Sequence, residues 1–397
     1  YMVPAVFVFL ERLPLSANGK LDRKALPDPT PGRGDLGHAM VAPRTPTEQR
    51  LAELWCKLLG AQEVGVHDDF FALGGHSLLA IHVMTHVRNG WQVDLPVATL
   101  FRASTIAELG ELLDGEGRRS TSVLVAMGGQ SLPARPFFCV HGIGGNVFRL
   151  VRLARLMAGR RPFYGLQGWV DSGDTGYLAS VETMAARYIP EILEVQPEGP
   201  YLVGGYSLGS LVAYEMARRL TETGHEVAFV GLLDVDAPSP GASPATAMAE
   251  LSKGSFEGGI ARELGIPISP ERLFALEPKQ RLAYVLEEGM KSGALPPGFT
   301  HQDAFRYIDV YQKTGLASAS YAAHPYGGRV ALFSTRGEVP DPTLGWNELA
   351  AGGVDLYAIP GDHFSLVMEP HVERMATVLA RALEDAERRW RGEGEGE

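Results

Sequence analysis

Apolar and polar positions along the 397 residues fall into three rhythms separated by two breaks. Residues 1–26 hold one strand-like run, Val6 to Leu10, and a turn at Asn18-Gly19, too little to bury a core. From about 43 to 113 the period is helical. Leu51, Leu54, Trp55 and Leu58 recur at i, i+3, i+4 and i+7, one face of a helix. Thr45-Pro46-Thr47-Glu48 before them reads as a capping box with proline at the first helical position. A second helix runs from about Ser77, with Leu78, Ile81 and Val87 apolar. Thr105-Ile106-Ala107-Glu108 caps a last short one carrying Leu109, Leu112 and Leu113.

From about 121 to 391 strand-like runs alternate with helical ones. The runs are 137–140, 201–203, 227–233, 330–334 and 354–359. Between them, Val181 to Val195 sets Met184, Tyr188, Ile192 and Val195 on one face. Such alternation predicts a mostly parallel α/β sheet. The stretch from about 238 to 315 breaks the rhythm. It is long, punctuated by proline and helix-leaning, and it interrupts two core strands, which predicts an inserted helical lid. The breaks at 27–43 and 114–120 are rich in Gly, with Pro or charge, and read as linkers.

Composition narrows the partners. A net charge of −11 argues against nucleic acid and anionic membranes. No run approaches the roughly 18–20 apolar residues of a membrane span. The two cysteines, Cys56 and Cys139, share no metal or redox spacing, so a reduced, cytoplasmic setting is expected. His82 and His86 stand at i, i+4 near His76, but no glutamate accompanies them, and the expectation is no metal site. The start, Tyr1-Met2-Val3-Pro4, has no leader pattern and opens straight into strand-like residues, as if cut from a longer polypeptide.

The candidate chemistry lies in the third segment. Gly205-Tyr206-Ser207-Leu208-Gly209 is G-x-S-x-G between a strand and a helical run, the context of a nucleophile elbow. A serine hydroxyl needs a base to take its proton, and in this pattern the acid and then the histidine follow it in the chain. His363, in Pro360-Gly361-Asp362-His363, follows the last strand and is the candidate base. His371 reads as the opening of the final helix. Asp234, at the end of 227–233, is the favoured acid, with Asp236 its rival. The Leu208 N–H and the Ile143 N–H, from His141-Gly142-Ile143-Gly144-Gly145, are the expected oxyanion donors. His141 suits a structural hydrogen bond.

These motifs carry resemblances. Val140-His141-Gly142, Gly204 to Gly209, Leu232-Leu233-Asp234 and Gly361-Asp362-His363 make 121–391 similar to type I thioesterase domains of non-ribosomal peptide and polyketide synthases, in the α/β-hydrolase family. That resemblance implies the triad Ser207, Asp234 and His363 and a helical lid at about 238–315. Asp69-Phe70-Phe71, Leu73-Gly74-Gly75-His76-Ser77-Leu78, Leu95-Pro96, Leu100-Phe101 and Thr105-Ile106 make 43–114 resemble a peptidyl carrier protein. This implies a small four-helix bundle and 4′-phosphopantetheine on Ser77. From the residues alone Ser77 reads as a helix N-cap. Leu13 to Arg23, with Lys20, resembles the last motif of adenylation domains, which makes 1–30 the remnant of one.

Together the resemblances imply the end of a non-ribosomal peptide synthetase. A peptidyl thioester on Ser77 would pass to Ser207 and leave by hydrolysis or macrocyclisation. Upstream condensation and adenylation domains and a phosphopantetheinyl transferase are the implied partners. The alternatives are proofreading of mis-acylated carrier, or a carrier and docking module with an inactive hydrolase domain.

Overall fold

The computed structural model describes residues 39–75, 77–93, 95, 97, 99–115, 122–168, 175–238, 256–263, 266–295, 301–337 and 339–393. The strand-like run at 6–10, Lys20 and most of both expected linkers lie outside these residues.

Among the described residues, four helices occupy the first part: α1 (Pro46–Leu59), α2 (Ser77–Trp91), α3 (Thr99–Arg102) and α4 (Ile106–Asp114). Leu51, Trp55, Phe70, Val83, Leu100 and Ile106 meet in one buried cluster, with the Trp55 and Phe70 rings 5.0 Å apart. The starts of α1 and α4 are capped by threonine, each cap contributing about 1 kcal/mol. At α4 the box closes both ways between Thr105 and Glu108. At α1 only half of it forms. Thr45 accepts from the Glu48 N–H at 3.1 Å, but the Glu48 carboxylate turns to the Arg44 N–H at 2.6 Å and to its guanidinium. A cation one residue before the cap outcompetes the cap's own backbone N–H.

The second part is built on a seven-stranded sheet: β1 (Leu124–Gly128), β2 (Phe137–Val140), β3 (Phe163–Leu166), β4 (Tyr201–Tyr206), β5 (Val227–Leu233), β6 (Val330–Ser334) and β7 (Val354–Ala358). The order is β1-β3-β2-β4-β5-β6-β7, with β1 antiparallel to β3 and every other pair parallel. The apolar rhythm predicts five of these strands and misses β1 and β3, which lie together on one side of the sheet.

Helices cover both faces, as a parallel sheet requires. On one face α6 (Val181–Val195) and α7 (Leu208–Glu222) bury Tyr188, Ile192, Leu211 and Val212. On the other, α5 (Val151–Met157) and α12 (Val372–Trp390) bury Leu153, Met157, Leu379 and Leu383. Val195 departs from its predicted face and is exposed, because it is the last residue of α6, where the covering neighbours end.

Between β5 and β6 come α8 (Phe256–Glu263), α9 (Pro270–Ala275), α10 (Pro278–Lys291) and α11 (His301–Ser320). Ile260, Leu273, Val285 and Leu295 of this insertion meet in a small buried cluster that also takes in Ile81 of α2. No described helix is long and apolar enough to cross a membrane.

Candidate active site and carrier serine

β4 is buried along its whole length and ends at Tyr206, and α7 begins at Leu208. Ser207 fills the single position between them, with φ 56° and ψ −123°. For a residue with a Cβ this left-handed conformation is strained, by about 1–3 kcal/mol. The flanking glycines make the turn possible. A Cβ on Gly209 would collide with the carbonyls of Val140 and His141, where α7 runs against the end of β2. Ser210 locks the corner: its hydroxyl donates to the Gly205 carbonyl at 2.6 Å and accepts from the Leu233 N–H at 2.9 Å.

His363 Nε2 lies 3.1 Å from Ser207 Oγ, and its Nδ1 lies 2.9 Å from Asp234 Oδ2. With Nδ1–H donating to the carboxylate, Nε2 is left to accept the serine proton. Asp234 follows β5 and is 7 % exposed. Its other oxygen accepts from the Thr335 N–H at 2.7 Å and from the Thr335 hydroxyl at 2.9 Å. Burial pushes the Asp234 carboxyl up, but the hydrogen bonds from His363 and Thr335 outweigh it, and its pKa lies below the ordinary value. Asp236 is turned elsewhere: it is exposed and paired with Arg336 at 3.0 Å. Tyr206 stacks on the His363 ring at 5.2 Å, and its hydroxyl donates to the His363 carbonyl at 2.6 Å.

Leu208 is the first residue of α7, so its N–H is one of the first-turn donors without an intrahelical acceptor. Ile143 lies in the loop after β2, beside the elbow, because β2 pairs with β4 through Val140 and Gly205. The neighbouring Gly144 N–H donates to Thr314 Oγ1 at 3.2 Å, which ties this loop to α11 of the insertion. His141 is fully buried. Its Nδ1–H donates to the Gly142 carbonyl at 2.6 Å and its Nε2 accepts from the Tyr188 hydroxyl at 2.8 Å, so it is held neutral with both ring nitrogens engaged. His371 stands at the N-terminal end of α12.

Thr335 and Thr314 have no signal in the sequence, and Tyr206 stands there only as the unspecified position of G-x-S-x-G. Thr335 touches Asp234 only because β5 and β6 are neighbours, and adjacency of strands is not written in either strand.

Ser77 is the first residue of α2, and its side chain lies outside the described residues. The chain reaches it through Gly74, at φ +95°, and Gly75, where a Cβ would collide with the Phe70 ring. A phosphodiester on Ser77 fits this place: the first-turn N–H groups and dipole of a 15-residue helix favour an anion. Among the described residues there is no cluster of side chains suited to a metal ion.

A thioesterase-domain family model matches residues 135–383, and a phosphopantetheine attachment site model matches 49–113. A chondramide synthase from Chondromyces crocatus is 30% identical over 97% of this chain, which spans 10% of that protein. A dimodular nonribosomal peptide synthase from Bacillus subtilis (strain 168) is 41% identical over 59% of this chain, again 10% of the longer protein. Among solved structures, a holo four-domain nonribosomal peptide synthetase bound to AMP and glycine covers 96% of this chain at 31% identity with a TM-score of 0.58; the match takes in 29% of that chain.

Proposed function

Because the chain belongs to the thioesterase family and carries a phosphopantetheine attachment domain ahead of it, we propose that it is the terminal carrier and release unit of a non-ribosomal peptide synthetase. The observation that carries the reading is the hydrogen-bonded line from Ser207 through His363 to Asp234, on one polypeptide with the attachment domain. In this reading 43–114 is a four-helix carrier, 121–391 the thioesterase, and α8 to α11 its lid. Upstream condensation and adenylation domains supply the peptide, and a phosphopantetheinyl transferase modifies Ser77.

Bound to Ser77, phosphopantetheine supplies a thiol that holds an acyl group as a thioester. Ser207 Oγ attacks the thioester carbonyl while His363 Nε2 takes its proton. The Leu208 and Ile143 N–H groups receive the developing oxyanion, an effect of about 3 kcal/mol per donor. The C–S bond breaks as His363 returns the proton to the leaving sulfur, and the acyl group rests on Ser207 as an ester. Asp234 keeps the Nδ1–H tautomer and supports the imidazolium. Water, or an amine or hydroxyl of the same peptide, then attacks the ester with His363 again as base, and an acid or a ring leaves.

Intact-mass measurement tests each serine. With coenzyme A and a phosphopantetheinyl transferase, the wild type gains one pantetheine and Ser77→Ala gains none. Loaded from an acyl-coenzyme A, the wild type loses its acyl group, whereas Ser207→Ala keeps it on the carrier. Acyl loss by Ser207→Ala at the wild-type rate would sink the nucleophile assignment.

A further inference from the structure

Among the described residues the carrier helices touch two parts of the rest of the chain. The first is the sheet domain: α3 lies against β1, and the carrier also meets α5 with the residues just before it. Arg155 of α5 donates to the Asp69 carboxylate, and its guanidinium lies 5.4 Å from the centre of the Phe71 ring. Phe71 stacks flat on Phe101 at 4.7 Å, and Phe101 meets Phe148 at 5.2 Å. The second place is the insertion. Ile81 of α2 is 8 % exposed and belongs to the buried cluster of α8 to α10 rather than to the carrier's own core, and Val97 packs beside it.

The residues around Ser77 divide their work accordingly. Phe70 points inward and is fully buried in the carrier core. Its two neighbours in the same motif do more: Phe71 belongs to that core and also lies under the Arg155 guanidinium, and Asp69 meets both the Ala72 N–H and Arg155. We infer that Arg155 is the residue by which the thioesterase core grips its carrier, and that Ile81 joins the same docked carrier to the insertion, so that one docking event engages core and lid together. This deepens the release reading and rests on it for the direction of transfer; the grip itself does not depend on it.

The chemistry suits a contact that forms and parts. A half-exposed ion pair with a cation–π face gives orientation and little net affinity. The acidic balance of 43–113, five basic against eight acidic residues, puts the complementary charge on the carrier side. A purely apolar face would hold the carrier in one place, and the carrier must also reach its other partners.

The test uses the full chain with Arg155→Glu, Arg155→Met and the exchange pair Arg155→Glu with Asp69→Arg, each first shown by mass to load pantetheine fully. Hydrogen exchange reads the docking directly. Segments 69–71 and 148–157 are expected to exchange faster in Arg155→Glu, less so in Arg155→Met, and to return toward wild type in the exchange pair. A second readout is the rate of acyl loss from the carrier divided by the rate on a soluble acyl N-acetylcysteamine thioester. That ratio is expected to fall about fivefold in Arg155→Glu. Unchanged exchange in Arg155→Glu, or an exchange pair no better than the single variant, would overturn the grip. A wild type that cleaves neither substrate would defeat the release reading while leaving the exchange measurement decisive for the grip.

Discussion

Two residues at the site share a backbone cost. Ser207 and Asp234 both have φ 56°, and neither is glycine. Each is the residue after a buried parallel strand, where the chain must turn while its side chain stays at the strand end. For Asp234 the compensation is visible: Thr335 donates twice to one oxygen and His363 faces the other. Asp236 has the same charge two residues on, but its partner is Arg336 at the surface. The two carboxylates therefore separate cleanly by experiment. Asp234→Asn is expected to lower the turnover of a soluble thioester by about 10⁴-fold, since the amide favours the wrong histidine tautomer. Asp236→Asn, which breaks only an exposed pair, is expected to stay within about twofold. A larger loss from Asp236→Asn in the same steady-state assay would reverse the assignment.

At the scale of elements, the loop after β2 is the joint of the molecule. His141 fastens it to α6 through Tyr188, and Gly144 fastens it to α11 through Thr314. Burial pushes the His141 pKa down to about 4 from 6.5. The unfolded chain takes up a proton below pH 6.5 that the folded one refuses. The stability this histidine contributes is thus complete above pH 6.5 and is lost as pH falls toward 4, amounting to about 3 kcal/mol. His141→Gln, which keeps a polar side chain in the space, is expected to flatten the fall of Tm between pH 6.5 and 4; a slope equal to the wild type would count against it. What was legible from the chain follows the same divide between local and long-range signals. G-x-S-x-G and its strand–helix context are local, and they pick out the turn that holds Ser207. Chain order and strand ends single out His363, which lies within hydrogen-bond reach of Ser207, and Asp234, which lies within reach of His363. Thr335 and Thr314 depend on which elements end up side by side, so no local pattern announces them. β1 and β3 were missed for a different reason. Each is short and holds a glycine, and β3 has only four residues, so neither builds a recognisable apolar period.

Across the whole molecule, the carrier helices and the sheet have separate hydrophobic cores that meet through a thin seam. Leu51, Trp55 and Ile106 belong to one buried cluster, and Trp346 and Leu379 to others. Among the described residues, Phe101, Phe148 and Val151 join the carrier core to the sheet domain beside α5, where Phe71 meets Arg155 and α3 lies against β1, and Ile81 and Val97 reach the insertion. A seam of this size, part apolar and part ionic, transmits little of the stability of either side. Unfolding is therefore expected in two calorimetric transitions rather than one. Leu51 is fully buried in α1, so Leu51→Ala leaves a cavity and costs about 3 kcal/mol. In a unit of about 70 residues each kcal/mol lowers Tm by about 4–8 °C, so the carrier transition is expected to fall by more than about 10 °C. The thioesterase transition should hardly move. Its persistence also predicts that Leu51→Ala, warmed past the first transition, still cleaves a soluble thioester while acyl transfer from the carrier has stopped. A single transition that shifts as a unit would mean instead that the seam binds the two cores into one cooperative body.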